Sequence, residues 1–150
     1  MSSVPQSPQQ ALPRMTELLQ QGASCRLVVT GRSMLPLLRD QQDAVILTPL
    51  AGAFRRGDIL FYLRGVNTPI LHRVVRVCPD GTLLMCGDAQ TGLEPIHPSQ
   101  VLARVSHVER GGRLIPCDSL AERLRAGLWQ ALYPVRPRAL GVLKRLGKLK

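Results

Sequence analysis

Ser33 stands in the sequence GRSMLP (residues 31–36), directly after the β-forming run VVT at 28–30. A strand that ends in a sharp turn containing glycine and proline presents its serine at the surface of a domain. A serine hydroxyl is a weak nucleophile until a base removes its proton. The turn therefore predicts chemistry only if another part of the chain brings a base to Ser33.

The choice of base is narrow. The chain has no lysine before Lys144, so a serine–lysine dyad would need the C-terminal tail to fold back onto the turn. Of the three histidines, His97 lies in a proline-flanked loop and His107 lies beside Glu109 at the end of a predicted strand. His72 lies within an alternating run, ILHRVVRV at 70–77, and is the histidine best placed to act as a base.

Four short motifs resemble the successive boxes of the type I signal peptidase superfamily. They are GRSMLP at 31–36, RGDIL at 56–60, HRV at 72–74 and GDA at 87–89. Their order and spacing agree across residues 28–105. The histidine of the third motif is similar to that of the endoplasmic-reticulum and archaeal enzymes, where the common bacterial enzymes and the LexA-like repressor peptidases have lysine.

The resemblance implies roles for individual residues. Ser33 matches the nucleophile and His72 the general base, and either Asp88 or Glu94 matches the acid that completes the relay. Glu94 departs from the aspartate usual at its position, so both acids stay open as the orienting group. A carboxylate bound to one imidazole nitrogen fixes the tautomer whose other nitrogen faces the serine. Gly31 replaces a hydroxyl residue of the bacterial enzymes, so an oxyanion hole would depend on main-chain N–H groups, including that of Ser33.

The same relay predicts a pH dependence. An imidazole accepts a proton only when it is neutral, and its ordinary pKa is about 6.5. A paired carboxylate stabilises the imidazolium and raises that pKa. We therefore expect activity to rise through roughly pH 6 to 7, or somewhat higher.

The remaining pattern predicts a mostly β fold. Short β-forming runs alternate with turn signals between residues 25 and 116, which is typical of a coiled antiparallel sheet or partial barrel. A short helix is predicted at 9–21. A second is predicted from Asp118 or Ser119 to Tyr133, with Leu120, Leu124, Leu128 and Trp129 on one stripe, and a basic helix follows from Ala139. We divide the chain into a flexible N-terminus (1–8), a peptidase-like domain (9–116) and a helical basic tail (117–150).

A domain of this size is expected to bind its peptide or protein substrate as an added strand at a sheet edge. Shallow apolar pockets would then accept small side chains beside the scissile bond. We predict that Met34, Leu35, Ile59 and Phe61 form the walls of those pockets.

Composition excludes several classes of protein. Hydrophobic residues make up 45% of the 150 residues, which argues against disorder. Aromatic residues make up only 3%, and the net charge of +10 is concentrated at the C-terminus, so no specific nucleic-acid partner is expected. The last fifteen residues carry six cations with no acid among them, and we expect this part of the tail to contact an anionic membrane or to form a solvated helix. Those cations are Arg136, Arg138, Lys144, Arg145, Lys148 and Lys150.

The compartment follows from what is missing in the sequence. Residues 1–10 lack the basic start and apolar centre of a signal peptide, and no apolar run reaches the ~20 residues of a membrane helix. The four cysteines have neither CxxC nor metal-ligand spacing. We expect a cytoplasmic protein, at most bound to a membrane surface, with reduced cysteines and neither metal nor cofactor.

These expectations combine into a serine endopeptidase that cleaves a peptide or protein precursor through an acyl-enzyme. Two alternatives stay open: a non-catalytic peptide-binding module of the same fold, and a regulator that cleaves only itself. No Ala-Gly or Cys-Gly bond precedes Ser33, which argues against self-cleavage.

Overall fold

The computed structural model describes residues 8–147. Helix α1 (Pro8–Gln20) precedes eight strands, and two helices follow them. The strands are β1 (Cys25–Val28), β2 (Ala44–Thr48), β3 (Ile59–Arg64), β4 (Thr68–Val77), β5 (Leu83–Cys86), β6 (Glu94–Ile96), β7 (Val101–Arg110) and β8 (Arg113–Pro116). The last helices are α2 (Leu120–Ala131) and α3 (Arg136–Arg145), and short 3₁₀ turns occupy Pro98–Gln100 and Tyr133–Val135. The mostly β prediction is confirmed. The flexible segment predicted at 1–8 lies outside the described residues except for Pro8.

All eight strands form one antiparallel sheet that does not close into a barrel. The order is β1-β2-β7-β3-β4-β5-β6, with β8 paired to β7. Strand β3 is interior, because β4 and β7 pair with its two edges. In the β3–β4 register, Leu60 lies opposite His72 and Ile59 lies opposite Arg73. Adjacent residues of β4 therefore point to opposite faces of the sheet.

The two faces of β3 contribute to two separate cores. Ile59 and Phe61 pack in a first core, to which α1 contributes Ala11, Met15 and Leu19. Leu60 and Tyr62 pack in a second core with Val74, Leu83, Met85 and Ile96. Because His72 pairs with Leu60, its side chain lies on the side of the second core.

Three elements differ from the sequence prediction. Strand β1 ends at Val28, two residues before Thr30, and β6 was not predicted. Helix α2 has the expected Ser119 N-cap, whose hydroxyl accepts from the N–H of Glu122. The leucine stripe of that helix does not face the core, however: Leu120, Leu124 and Leu128 are 73%, 64% and 66% exposed.

Helix α2 attaches to the domain through its other side. Trp129 and Gln130 are its buried residues, and each side chain donates to a main-chain carbonyl of the β domain. Directed hydrogen bonds of this kind hold one helix face against the sheet and leave the opposite face to solvent.

The basic tail is only partly exposed. Arg136 is 1% exposed, and its guanidinium lies 5.5 Å from the ring centre of Trp129 and 4.9 Å from that of Tyr133. This position corrects the prediction that Arg136 belongs to a membrane-facing cationic set. Arg138, Lys144 and Arg145 are exposed, whereas Lys148 and Lys150 lie outside the described residues.

Within residues 8–147, no helix combines the length and the apolar character needed to cross a bilayer. All four cysteines are free thiols: Cys25 and Cys86 are buried, and Cys78 and Cys117 are half-buried.

Candidate active site

Ser33 lies on a turn that the protein fixes from both sides. Gly31 begins the turn with φ +83°, a conformation that glycine adopts without strain, and its N–H donates to Asp40 Oδ1 (2.9 Å). The buried side chains of Met34 and Leu38 anchor the turn in the first core. Ser33 itself is half-buried. Met34 and Leu35 therefore support the turn rather than line an open pocket.

The serine turn meets the end of β5 at Gly87. The N–H of Ala89 donates to the carbonyl of Ser33 (2.9 Å). A Cβ placed on Gly87 would collide with that carbonyl oxygen and would stand 3.1 Å from Nε2 of His72. Only a residue without a side chain lets the serine turn and the imidazole approach each other so closely. Gly87 is thus the residue that both the carbonyl of Ser33 and Nε2 of His72 approach.

Tyr62 orients the imidazole of His72. Its hydroxyl lies 3.3 Å from His72 Nδ1 and donates to Glu94 Oε1 at 2.5 Å. An ionised carboxylate can only accept, so the single phenolic proton points to Glu94 and the phenol oxygen accepts from Nδ1–H. Nε2 then carries the lone pair, and Nε2 is the atom that lies against Gly87. The network fixes the tautomer that a general base needs.

Arg64 neutralises Glu94. Its Nε donates to Glu94 Oε2 (2.6 Å) and its Nη2 donates to Oε1 (3.0 Å). These bonds lower the pKa of Glu94, with a smaller contribution from the Tyr62 hydroxyl. Burial, reinforced by the bond to Glu94, raises the pKa of Tyr62, so the phenol keeps its proton. The relay from imidazole to carboxylate therefore passes through a neutral tyrosine.

The pKa of His72 moves opposite to the sequence prediction. Burial, followed by the positive charge of Arg64, lowers the pKa of His72 to about 4, and the charges of Glu94 and Asp88 offset only part of that change. The imidazole is 4% exposed and stays neutral through physiological pH. A raised pKa was expected from a directly paired carboxylate, but neither Asp88 nor Glu94 makes a hydrogen bond to the ring within residues 8–147.

Asp88 performs a structural task. Its two carboxylate oxygens accept from Nε and Nη2 of Arg73, each at 2.9 Å, and both side chains are buried. Arg73 also donates to the carbonyl of Gly57 (3.0 Å), and Trp129 donates to the carbonyl of Asp88 (2.7 Å). Asp88 thus ties together β4, the loop before β3 and helix α2. The structure offers Glu94, through Tyr62, as the orienting acid instead.

The serine retains free hydrogen-bonding groups. Across residues 8–147, neither the N–H nor the hydroxyl of Ser33 donates a hydrogen bond, and none joins Oγ to His72. The N–H is therefore free to bind an oxyanion. Catalytic hydrogen bonds are often long or absent in sites without substrate, so the lack of a bond between Oγ and Nε2 does not remove His72 as a candidate base.

The four residues predicted to form the pocket walls are buried. Met34, Leu35, Ile59 and Phe61 are between 1% and 6% exposed. Ile59 and Phe61 belong to an interior strand and lie in the first core with residues of α1, so they present little surface to a substrate in this structure. Their assignment to substrate pockets stays a prediction.

A cavity of about 870 Å³ lies on another part of the surface, between α2 and the sheet, and neither Ser33 nor His72 is among the residues that line it.

Sequence reasoning missed Tyr62, Arg64 and Gly87 as parts of this site. Gly87 belongs to the GDA motif, which carried a signal, whereas Tyr62 and Arg64 become visible only once the register of β3 and β4 is known. No protein family, curated protein or solved structure matches the chain.

Proposed function

We propose that this protein is a serine endopeptidase in which Ser33 is the nucleophile and His72 the general base. The observation that carries the proposal is the contact at Gly87, where the serine turn and Nε2 of His72 approach one small residue. The tautomer set by Tyr62 supports it, because Nε2 is left as the acceptor. The four motifs that resemble the signal peptidase superfamily support the same assignment.

The geometry suits a two-step reaction. His72 Nε2 takes the proton of Ser33 Oγ as that oxygen attacks the peptide carbonyl, and the N–H of Ser33 binds the oxyanion. The imidazolium then returns the proton to the leaving amine, which leaves an acyl-enzyme. A water molecule, activated by the same nitrogen, hydrolyses the ester. Tyr62 and Glu94 stabilise the transient imidazolium through Nδ1–H.

Two free strand edges lead to the site. Strand β1, which precedes Ser33, pairs with no described strand other than β2. Strand β4 pairs with β5 only from Arg73 onward, so its residues 68–72 have one open edge that ends at His72. Helix α1 contacts both strands. An extended peptide that pairs with these edges would carry its scissile bond to Ser33 and His72.

The substrate class that fits is an extended segment of a peptide or protein precursor. We place this activity in the cytoplasm or at its membrane surface. This placement goes beyond the structural finding, which is that no helix among the described residues could cross a membrane.

Two observations favour a non-catalytic peptide-binding module as the second candidate. The hydroxyl of Ser33 is not hydrogen-bonded to His72 within residues 8–147, and a base with a pKa of about 4 is weak. Such a module would bind peptides at the same edges without turning them over.

Covalent labelling separates these functions. A fluorophosphonate should label the wild-type protein at Ser33, and Ser33→Ala should abolish the labelling. Ser24→Ala, which changes an exposed serine outside the turn, is the matched control and should label normally. His72→Gln should slow labelling by at least ~100-fold.

Peptide-library cleavage completes the test. Turnover that requires both Ser33 and His72 supports the endopeptidase, and binding without turnover or labelling indicates the module. Cleavage confined to the chain itself, detected by intact mass, would contradict the proposal in favour of a self-cleaving regulator.

A further inference from the structure

Helix α2 exposes a continuous row of leucines. Leu120, Leu124 and Leu128, called the leucine face below, are 73%, 64% and 66% exposed. They recur every four residues and therefore lie along one side of the helix. Three large apolar side chains in a row, each about two-thirds exposed, mark an interaction surface.

Basic residues border the leucine face on both sides. At about 100° per helical residue, Arg123 and Arg125 lie about 100° to either side of Leu124. Trp129 and Gln130, which attach α2 to the domain, lie on the far side of the helix. The exposed half of α2 thus has a leucine centre with one arginine along each border. This arrangement is typical of helices that lie in a membrane interface.

The charge around this helix is almost entirely positive. No aspartate or glutamate follows Glu122 in the sequence. Glu122 is itself engaged by Arg110 (3.1 Å) and Arg125 (2.9 Å). On α3, Arg138, Lys144 and Arg145 are exposed. A partner that meets this surface should be apolar in its interior and negatively charged at its boundary.

We propose that the leucine face of α2 docks the protein on an anionic lipid bilayer. The leucines enter the boundary between headgroups and acyl chains, while Arg123 and Arg125 extend to the lipid phosphates. The membrane contact then lies on α2 and not on the cations of residues 136–150, where the sequence suggested it. It does not rest on peptidase activity. Because Trp129 on the buried side of α2 binds the carbonyl of Asp88, docking would hold the Ser33 site close to the bilayer.

Vesicle flotation with the full chain tests the leucines. Wild type should bind vesicles of phosphatidylcholine with 30 mol% phosphatidylglycerol, and bind pure phosphatidylcholine at least ~10-fold more weakly. The triple variant Leu120→Gln, Leu124→Gln, Leu128→Gln should lose at least ~10-fold in partition coefficient. The matched control changes three exposed apolar residues elsewhere, Leu50→Gln, Val66→Gln and Leu114→Gln, and should bind like wild type.

Two further arms test the charges and the depth of insertion. Arg123→Gln should weaken binding about fivefold, and Arg76→Gln, an exposed arginine on β4, should not. Leu124→Trp should show a blue-shifted emission and quenching by brominated acyl chains when vesicles are added, whereas Val66→Trp should not. The two Trp variants show whether position 124 enters the bilayer even if the triple variant folds poorly.

Equal binding by the leucine variant and its control would overturn the proposal, provided both unfold like wild type. So would a wild-type dimer that dissociates in the leucine variant, because the leucine face would then bind a second copy of the chain. A protein whose Ser33 is not labelled should still bind vesicles. The membrane proposal and the peptidase proposal can therefore fail independently of each other.

Discussion

At the candidate site, a tyrosine stands between the imidazole and the carboxylate. A directly paired acid would favour the charged imidazole, whereas the neutral Tyr62 hydroxyl fixes the tautomer without adding charge. Glu94 is already neutralised by Arg64, so its negative charge reaches His72 in weakened form. Burial is therefore the largest influence on the pKa of His72, and it lowers that pKa. The result is a base that stays unprotonated well into the acid range.

Replacing Arg64 with glutamine should raise the pKa of His72. The change removes a positive charge that lowers this pKa and leaves Glu94 without its partner, and both effects favour the imidazolium. NMR titration of the His72 ring should give a midpoint of about 4 in wild type and a higher one in Arg64→Gln. If the protein is a peptidase, the acid limb of kcat/KM should move up with it. Arg76→Gln is the control, and an equal shift there would refute the local explanation.

The buried imidazole should also make stability depend on pH. The native state keeps His72 neutral down to about pH 4, whereas the unfolded chain takes up the proton below about pH 6.5. The resulting contribution to the free energy of unfolding is about 3 kcal/mol. It is fully present above pH 6.5 and is lost as the pH falls toward 4.

Urea denaturation at several pH values checks this linkage. The free energy of unfolding of wild type should decline between pH 6.5 and 5, and the decline should largely disappear in His72→Gln. The carboxylates with lowered pKa values, Asp43, Asp80 and Glu94, lose their contribution only at more acidic pH. An identical decline in both proteins would show that His72 is not protected from protonation.

At the scale of elements, the turn signals predicted the sheet well. The runs at 44–47, 56–63, 70–77, 82–86 and 101–108 each predict a strand, because each joins β-forming residues to a glycine or proline turn. Strands β2, β3, β4, β5 and β7 lie within a few residues of these bounds. Strand β6 was missed since Glu94-Pro95-Ile96 is short and contains proline. Its place depends on pairing with Leu83–Met85, which is not a local property of the sequence.

The burial of side chains could not be predicted either, because burial, like strand pairing, depends on parts of the chain that are distant in sequence. Periodicity shows that Leu120, Leu124 and Leu128 share a face but not whether anything covers it. Likewise, Ile59 and Phe61 lie in a continuous apolar run, ILFYL at 59–63, whose pattern does not show what covers either face of the strand. In the structure this strand has a core on each face. Side-chain type and spacing predicted Ser33 and His72, while Tyr62 required the three-dimensional register.

Gly87 provides an element-scale test of the junction between β5 and the serine turn. Gly87→Ala would push a methyl group against the Ser33 carbonyl and His72 Nε2, and should cost about 1–3 kcal/mol in stability and slow serine labelling. Gly92→Ala is the matched control. It has nothing within 4 Å of the added methyl group and no left-handed backbone, and should change stability by less than about 0.5 kcal/mol. Equal effects of the two substitutions would contradict the close approach at Gly87.

Across the whole molecule, the C-terminal helices brace the loop that supports Ser33. Trp129 donates to the carbonyl of Asp88, Tyr133 to that of Thr91, and Arg136 to that of Gln90. The neighbouring N–H of Ala89 holds the Ser33 carbonyl. Residues 117–147 are thus joined to the loop at 88–91 by hydrogen bonds.

Arg136, the first residue of α3, allows a test of this bracing. Arg136→Ala would leave the carbonyls of Gln90 and Trp129 without their donor and remove a buried side chain that contacts two aromatic rings. We expect a loss of about 2–4 kcal/mol in stability. Amide exchange at Ala89 should accelerate, and labelling of Ser33 should slow because its carbonyl is held less firmly.

Arg138→Ala, an exposed change two residues further along α3, is the control and should leave both rates near wild type. Exchange at Ala89 should be measured under conditions in which both variants remain folded, so that it reports opening of the 87–91 loop and not global unfolding. Unchanged protection of Ala89 in Arg136→Ala would mean that the loop holds the serine turn without help from the C-terminal helices. The tail would then be dispensable for the site, and the hydrogen bonds from Trp129 and Tyr133 would serve only to attach α2.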